Sequence, residues 1–190
     1  MTHDRRAERP FPTLDELNAM PADAFAAAVG PLVESAPRYL ARLAAARPFT
    51  SDAAMQDAMH AVASEMPEEE QVELVDAHPR IGADSADMSE LSTAEQRAGD
   101  GDPDEDGARH AYLAEELANL NELYESRFGF RYVVFVAGRP KEAILPLMEH
   151  ALRNDRDAEL RRGLHDAIYI AADRLTRLRG GPPDEEEEAS

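Results

Sequence analysis

The chain has 190 residues, with 20 basic and 39 acidic side chains, a formal net charge of −19, and no cysteine. That length suits one domain around a single core, and the lack of cysteine excludes disulfides, thiolate metal ligands and a cysteine nucleophile. The acidity repels phosphate backbones and anionic bilayer surfaces. No nucleic-acid or membrane partner is therefore expected, and an anionic substrate would need local cations.

Residues 1–12 read as a mobile arm that is charged and proline-flanked, without the apolar region of a secretory leader. Leu14, Leu17, Asn18 and Phe25 begin the first apolar face, and Pro21 opens a new helix at its first turn. Pro31 and Pro37 punctuate the next segment, Tyr39 to Ala46. Ser51-Asp52 starts a helix carrying Met55, Met59 and Val62, and Pro67 starts another through Val72, Leu74 and Val75. The methionines read as core filling. A long helix carries Leu113, Leu117, Leu120, Tyr124 and Phe128, and Gly129 is placed to end it. Tyr132 to Val136 is a short apolar, β-branched run with no second strand to pair with. The last helix repeats Leu160, Leu164, Ile168, Ala171, Leu175 and Leu178 at helical period. Gly180-Gly181-Pro182-Pro183 and the acids that follow make residues 179–190 a disordered acidic tail. The expected fold is all-α: one helical bundle over residues 13–178, of about eight helices, with one extended segment near 132–136. No stretch approaches the roughly 18 apolar residues of a membrane-spanning helix. Glu188-Ala189-Ser190 is no peroxisomal address, so a cytoplasmic location is expected.

Six histidines are present, none spaced as HxxxH or HExxH, so no zinc site is expected. Asp102 to Gly107 imitates the start of a calcium loop. Leu113 stands at its twelfth position, however, where a glutamate is required, which leaves a plain acidic loop. His78 ends an apolar helix and precedes Pro79, which disfavours helix at His78 itself. An imidazole held there serves either a cleft or a helix end. Ser92-Thr93-Ala94-Glu95-Gln96 reads first as a capping box, with Ser92 as the cap and Glu95 reaching back. It also reads as a helix start that offers free amides to a ligand. The unpaired backbone of Tyr132, Val133, Val134, Phe135 and Val136 must find partners, and a ureide would supply them. Arg139 is either a cation near that run or a surface charge.

In order, these pieces resemble the 2-oxo-4-hydroxy-4-carboxy-5-ureidoimidazoline (OHCU) decarboxylases. The likeness runs from about Leu14 to Leu178: Leu17-Asn18, Phe25, Glu34-Ser35-Ala36-Pro37, Arg47-Pro48-Phe49, Ala77-His78-Pro79-Arg80-Ile81-Gly82, Ser92-x-x-Glu95-Gln96-x-x-Gly99, Leu120-Asn121-x-x-Tyr124, Phe128-Gly129-Phe130, Gly138-Arg139 and Asn154. Three stretches depart from the family pattern: Arg38-Tyr39 after Pro37, where a tryptophan is common, Arg80-Ile81-Gly82, and Ala151, where an arginine is common.

The resemblance implies a helical homodimer without metal or organic cofactor. It would convert OHCU, a small ureidoimidazoline, to (S)-allantoin in urate catabolism. His78 falls on the family's catalytic histidine and Glu95 on its glutamate. Pro79, Ser92, Gln96 and the backbone of residues 132–136 fall on substrate contacts, with Arg139 close by. No cofactor is needed because the substrate's ring imine can itself receive the electron pair released with CO2. Glu95 would hold or deprotonate the ring hydroxyl while His78 acts as general acid and base. Two alternatives differ in class: a lyase acting on a related ureide, and a non-enzymatic helical interaction module. Retention of both His78 and Glu95 speaks against the second.

Overall fold

The computed structural model describes residues 11–83, 88–98 and 107–180. The chain-order elements are α1 (Leu14–Ala19), α2 (Ala22–Val29), a 3-10 turn (Gly30–Val33), α3 (Pro37–Ala45), α4 (Asp52–Glu65), α5 (Glu68–Ala77), α6 (Glu90–Ala98), α7 (Gly107–Phe128), α8 (Lys141–Ala151) and α9 (Arg156–Leu178). No strand occurs among the described residues, and none of their helices is long and apolar enough to cross a membrane. Most of the sequence-predicted acidic loop, residues 102–106, lies outside the described residues, as do residues 1–10 and 181–190 of the expected arm and tail.

Local chemistry sets the helix starts. Thr13 and Glu16 close a reciprocal capping box on α1. The Ser51 hydroxyl accepts from Ala54 N at 3.0 Å, and the Asp155 carboxylate accepts from Ala158 N at 2.8 Å. Pro21 and Pro67 stand one residue before α2 and α5, and Pro37 is the first residue of α3. Asn18 exchanges two hydrogen bonds with the Phe49 backbone, at 2.8 and 2.9 Å, joining two distant sequence motifs.

The expected capping box at Ser92 is a correction. Helix α6 begins two residues earlier, and the Ser89 hydroxyl accepts from Ser92 N at 3.1 Å. Ser92 therefore lies inside the first turn. That frees its hydroxyl and the Glu95 carboxylate to point elsewhere.

Helix α9 is the hub, packed against α4, α5 and the 3-10 turn, while α2 meets α3, α3 meets α4, and α7 meets α8. Leu160, Leu164, Ile168, Ala171 and Leu175 are buried along its stripe, whereas Leu178, expected in the same row, is exposed. Arg174 sits within that stripe and is itself buried. At the far end of α7, Gly129 adopts φ +79°, the left-handed turn that stops a helix, and its N–H donates to Glu125 O at 2.8 Å. The chain then runs extended from Arg131 to Val136 without a partner strand among the described residues. Tyr124 anchors this exit, its ring centroid 4.6 Å from that of Phe128 and 5.1 Å from that of Tyr132.

Candidate active site

His78 is the residue after α5, in extended backbone ahead of Pro79. Its side chain is buried, with Nδ1 3.0 Å from Leu74 O. A carbonyl only accepts, so Nδ1 carries the proton and Nε2 presents a lone pair. That Nε2 is buried and has no hydrogen-bond partner among the described residues. Burial, aided by the Arg174 charge, pulls the pKa down to about 4, against the opposing pull of the Leu74 bond, Glu34 and Glu95. The imidazole is thus neutral near pH 7, with an unused basic nitrogen.

The turn after His78 is tied from three sides. Gln96 Oε1 accepts from Gly82 N at 2.9 Å, and Gln96 Nε2 donates to Arg80 O at 3.2 Å. Asn121 Nδ2 donates to Ile81 O at 3.0 Å, and Arg131 Nη1 donates to His78 O at 2.9 Å. Gly82 is required here: its φ is +81°, and a Cβ would meet Leu117 Cδ1 at 3.0 Å. Arg80 turns outward to grip Glu125 through two bonds of 2.7 and 2.6 Å. Pro79 is partly buried between these anchors. Both ends of the Gln96 amide thus hold the His78-Pro79 turn.

The buried guanidinium of Arg174 organises the rest. Its Nε and Nη2 form a fork to Glu95, at 2.8 and 2.7 Å, and Nη2 also donates to Ser92 Oγ at 2.9 Å. Nη1 donates to Glu34 Oε1 at 2.8 Å, Pro31 O at 3.0 Å and Leu32 O at 3.2 Å. Every N–H of this arginine therefore has a protein acceptor. Glu34 Oε1 also accepts from Ser92 Oγ at 2.7 Å and Ser89 Oγ at 3.0 Å. Burial pushes the Glu34 pKa up, but these hydroxyl bonds and the Arg174 charge outweigh it and hold the carboxyl below its ordinary value. Glu34 and Ser35 both adopt left-handed backbone, at φ 49° and 61°, which non-glycine residues tolerate only under surrounding constraint. Half-exposed Arg177 adds a 3.1 Å contact to Glu95 Oε1 and pairs with Asp173.

His78, Ser92 and Glu95, three of the residues singled out from sequence, are therefore gathered around one cation. Neither Arg174 nor Glu34 was read as functional. The available signal was an arginine inside the apolar stripe of the last helix, three residues after Ala171.

Tyr132, Val133 and Val134 are buried, and Phe135 and Val136 are partly so. The Tyr132 ring faces Tyr124 and the Arg162 guanidinium, which lies 4.6 Å over it, so its side chain belongs to a separate cluster. Arg139 bends back onto its own turn, donating from Nε to Val136 O at 3.0 Å and from Nη2 to Phe135 O. It is a local brace. Arg131 links this run to the histidine, its N–H donating to Asp76 at 2.8 Å while its side chain reaches His78 O. Among the described residues, no amide from Tyr132 to Val136 donates to another group. Nor does any set of three His, Asp or Glu side chains among them form a metal-ligand group. The arrangement offers a neutral base, a carboxylate held between two arginines, and unpaired amides, which suits proton transfer on a small polar ring.

A family model described as OHCU decarboxylase matches residues 18–176. The 2-oxo-4-hydroxy-4-carboxy-5-ureidoimidazoline decarboxylase of Haloferax volcanii is 32% identical over 163 residues, covering 86% of this chain and 94% of that protein. Its namesake in Halalkalicoccus jeotgali is 30% identical over 166 residues, covering 87% and 91%. The uric acid degradation bifunctional protein PucL of Bacillus subtilis is also 30% identical over 166 residues, and there the chain spans 32% of the longer protein. Two solved structures share the fold. OHCU decarboxylase crystallised in the presence of (S)-allantoin aligns with a TM-score of 0.62 and 19% identity, over 76% of this chain and 92% of that one. (S)-allantoin synthase aligns at 0.59 and 18%, over 89% of this chain and about half, 54%, of that one. On the family match and the two relatives aligned nearly end to end, this chain belongs to the OHCU decarboxylase family.

Proposed function

We propose that this chain decarboxylates 2-oxo-4-hydroxy-4-carboxy-5-ureidoimidazoline to (S)-allantoin, with His78 and Glu95 as its proton-handling pair. The observation that carries the reading is the buried His78 Nε2, which has no hydrogen-bond partner among the described residues while Arg174, Glu34 and Glu95 are close enough to bias its charge. A buried basic atom left unpaired costs stability unless something else completes it.

The chemistry balances within the substrate. The bond to the carboxylate breaks, CO2 departs, and its electron pair forms the double bond between ring positions 4 and 5. The imine electrons move onto the ring nitrogen, which takes a proton. The resulting enol then loses its hydroxyl proton to become a carbonyl as position 5 gains a proton on one face. Glu95 Oε2 accepts one N–H from Arg174 and retains a lone pair for the ring hydroxyl. His78 Nε2, neutral and desolvated, takes a proton and returns one. Pro79 and Ser92 wall the reacting end, and the backbone of residues 132–136 takes the ureido arm. Gln96 supports the His78 turn, and Arg139 braces the far end of the strip. A homodimer in the cytoplasm completes the proposal, and a sedimenting mass of two 20.9 kDa chains is its expected assembly.

The test generates the labile substrate in situ from urate and follows circular dichroism for optically active allantoin. The wild-type protein should outpace the spontaneous, racemic reaction. His78→Asn, which keeps size and polarity, should fall to the spontaneous rate, and Glu95→Gln should lose at least about 100-fold, the lower end of a general acid–base contribution. Near-normal turnover by folded His78→Asn would overturn the mechanism, and no acceleration by wild type would overturn the activity.

A further inference from the structure

A second charged cluster lies apart from Arg174 and takes no part in the chemistry above. The Glu159 side chain is wholly buried, yet it accepts from Tyr124 Oη at 2.6 Å, Asn154 Nδ2 at 2.8 Å and Arg162 Nε at 2.9 Å. Pairing alone would satisfy that carboxylate. The arginine, however, extends beyond it. Arg162 Nη1 donates to Val133 O at 2.8 Å and to Asp166 Oδ2 at 2.9 Å, with the guanidinium plane seated over the Tyr132 ring.

Val133 belongs to the run that has no strand ladder, so no regular pairing orients its peptide groups. One acid and two arginine side chains do so instead: Asp76 accepts from Arg131 N–H at the start, Arg162 donates in the middle and Arg139 at the end. Of these anchors the middle one, Arg162, comes from α9, the helix that also carries Arg174. In a planar trans peptide, anchoring Val133 C=O toward Arg162 turns Val134 N–H to the opposite side. That amide donates to no described residue.

We propose that Arg162 is a positioning residue for substrate: it locks the Val133 carbonyl and thereby aims the Val134 N–H at the ureido arm. The proposal rests on the functional reading above, in which residues 132–136 receive that arm. Tyr124, Glu159 and Asp166 hold the guanidinium in the required plane, and α9 thus references both ends of the ligand to one rigid element.

Two ligands separate this role from general support of the fold. (S)-Allantoin carries the ureido arm, and hydantoin is the same ring without it. Arg162→Lys keeps a cation opposite Glu159 but loses the planar fork. Its dissociation constant for (S)-allantoin should rise about tenfold, the worth of one well-placed hydrogen bond, while hydantoin changes less than about twofold. Turnover should suffer mainly through KM. The double variant R162M/E159Q removes both charges and leaves an amide for Tyr124 and Asn154, so it serves if the lysine variant fails to fold. In wild-type protein, saturating (S)-allantoin should slow hydrogen exchange at the Val134 amide, and hydantoin should not. Equal weakening of both ligands, unchanged (S)-allantoin binding in a folded variant, or no slowing at Val134 would each overturn the proposal. A wild-type protein that neither binds (S)-allantoin nor decarboxylates would instead overturn the functional reading beneath it.

Discussion

The His78 imidazole is buried as the neutral form, and that choice couples stability to acidity. Its folded pKa of about 4 lies below the 6.5 of a solvated histidine. As pH falls, the unfolded chain therefore binds the proton first. Stability from this group is whole above pH 6.5, declines as pH falls toward 4, and declines no further below that, a total of about 3 kcal/mol. Urea unfolding at pH 7, 5.5 and 4 should show that slope in wild type and lose most of it in His78→Asn. Identical slopes in the two proteins would sink the account. His78 was legible because Pro79 and the end of an apolar helix isolate it in sequence. Gln96 was legible as a residue but not in its role, because its partners are the backbone of Arg80 and Gly82 in another segment. Arg174 stood out only as a charge in an apolar stripe, and its pairing with Glu34 escaped because the two segments are distant in sequence.

At the scale of elements, starts were legible and one cap was misassigned. Ser92 has Glu95 three residues on, as a capping box requires, whereas Ser89 has Ser92 there, so local pattern alone favours the wrong serine. Tertiary pairing reverses that preference, since Arg174 draws Glu95 and Ser92 toward α9 and leaves Ser89 to serve the N-terminus of α6. Ser89→Ala should therefore lower unfolding free energy by about 1 kcal/mol, and Ser89→Asn should restore most of it. Denaturation curves of the two variants decide the matter. Equal stability of wild type and Ser89→Ala would return the cap to Ser92. The extended run after α7 was legible from its β-branched residues and missing partner, but its anchors Asp76, Arg162 and Arg139 were not, because they depend on how α5, α9 and the following turn fold back. Leu178 shows the converse limit: helical period placed it in the stripe, but the stripe ends before it does.

For the whole molecule, the surplus of 39 acids over 20 bases sets up self-repulsion in the folded state. Added salt screens that repulsion, and exposed ion pairs lost in the same way are individually worth little. The melting temperature should rise by a few degrees between about 0.02 and 0.5 M NaCl, since about 1 kcal/mol corresponds to roughly 2–4 °C at this size. A melting temperature that falls with salt would mean that surface pairs such as Arg38 with Glu73 outweigh the net field. The run from Tyr132 to Val136 has a different molecular consequence. Codon changes exchange side chains and leave peptide groups in place, so this stretch can drift among branched and aromatic residues while presenting the same amides. Proline alone among encoded residues deletes an N–H. One such replacement would delete a donor that no other change within the run can delete.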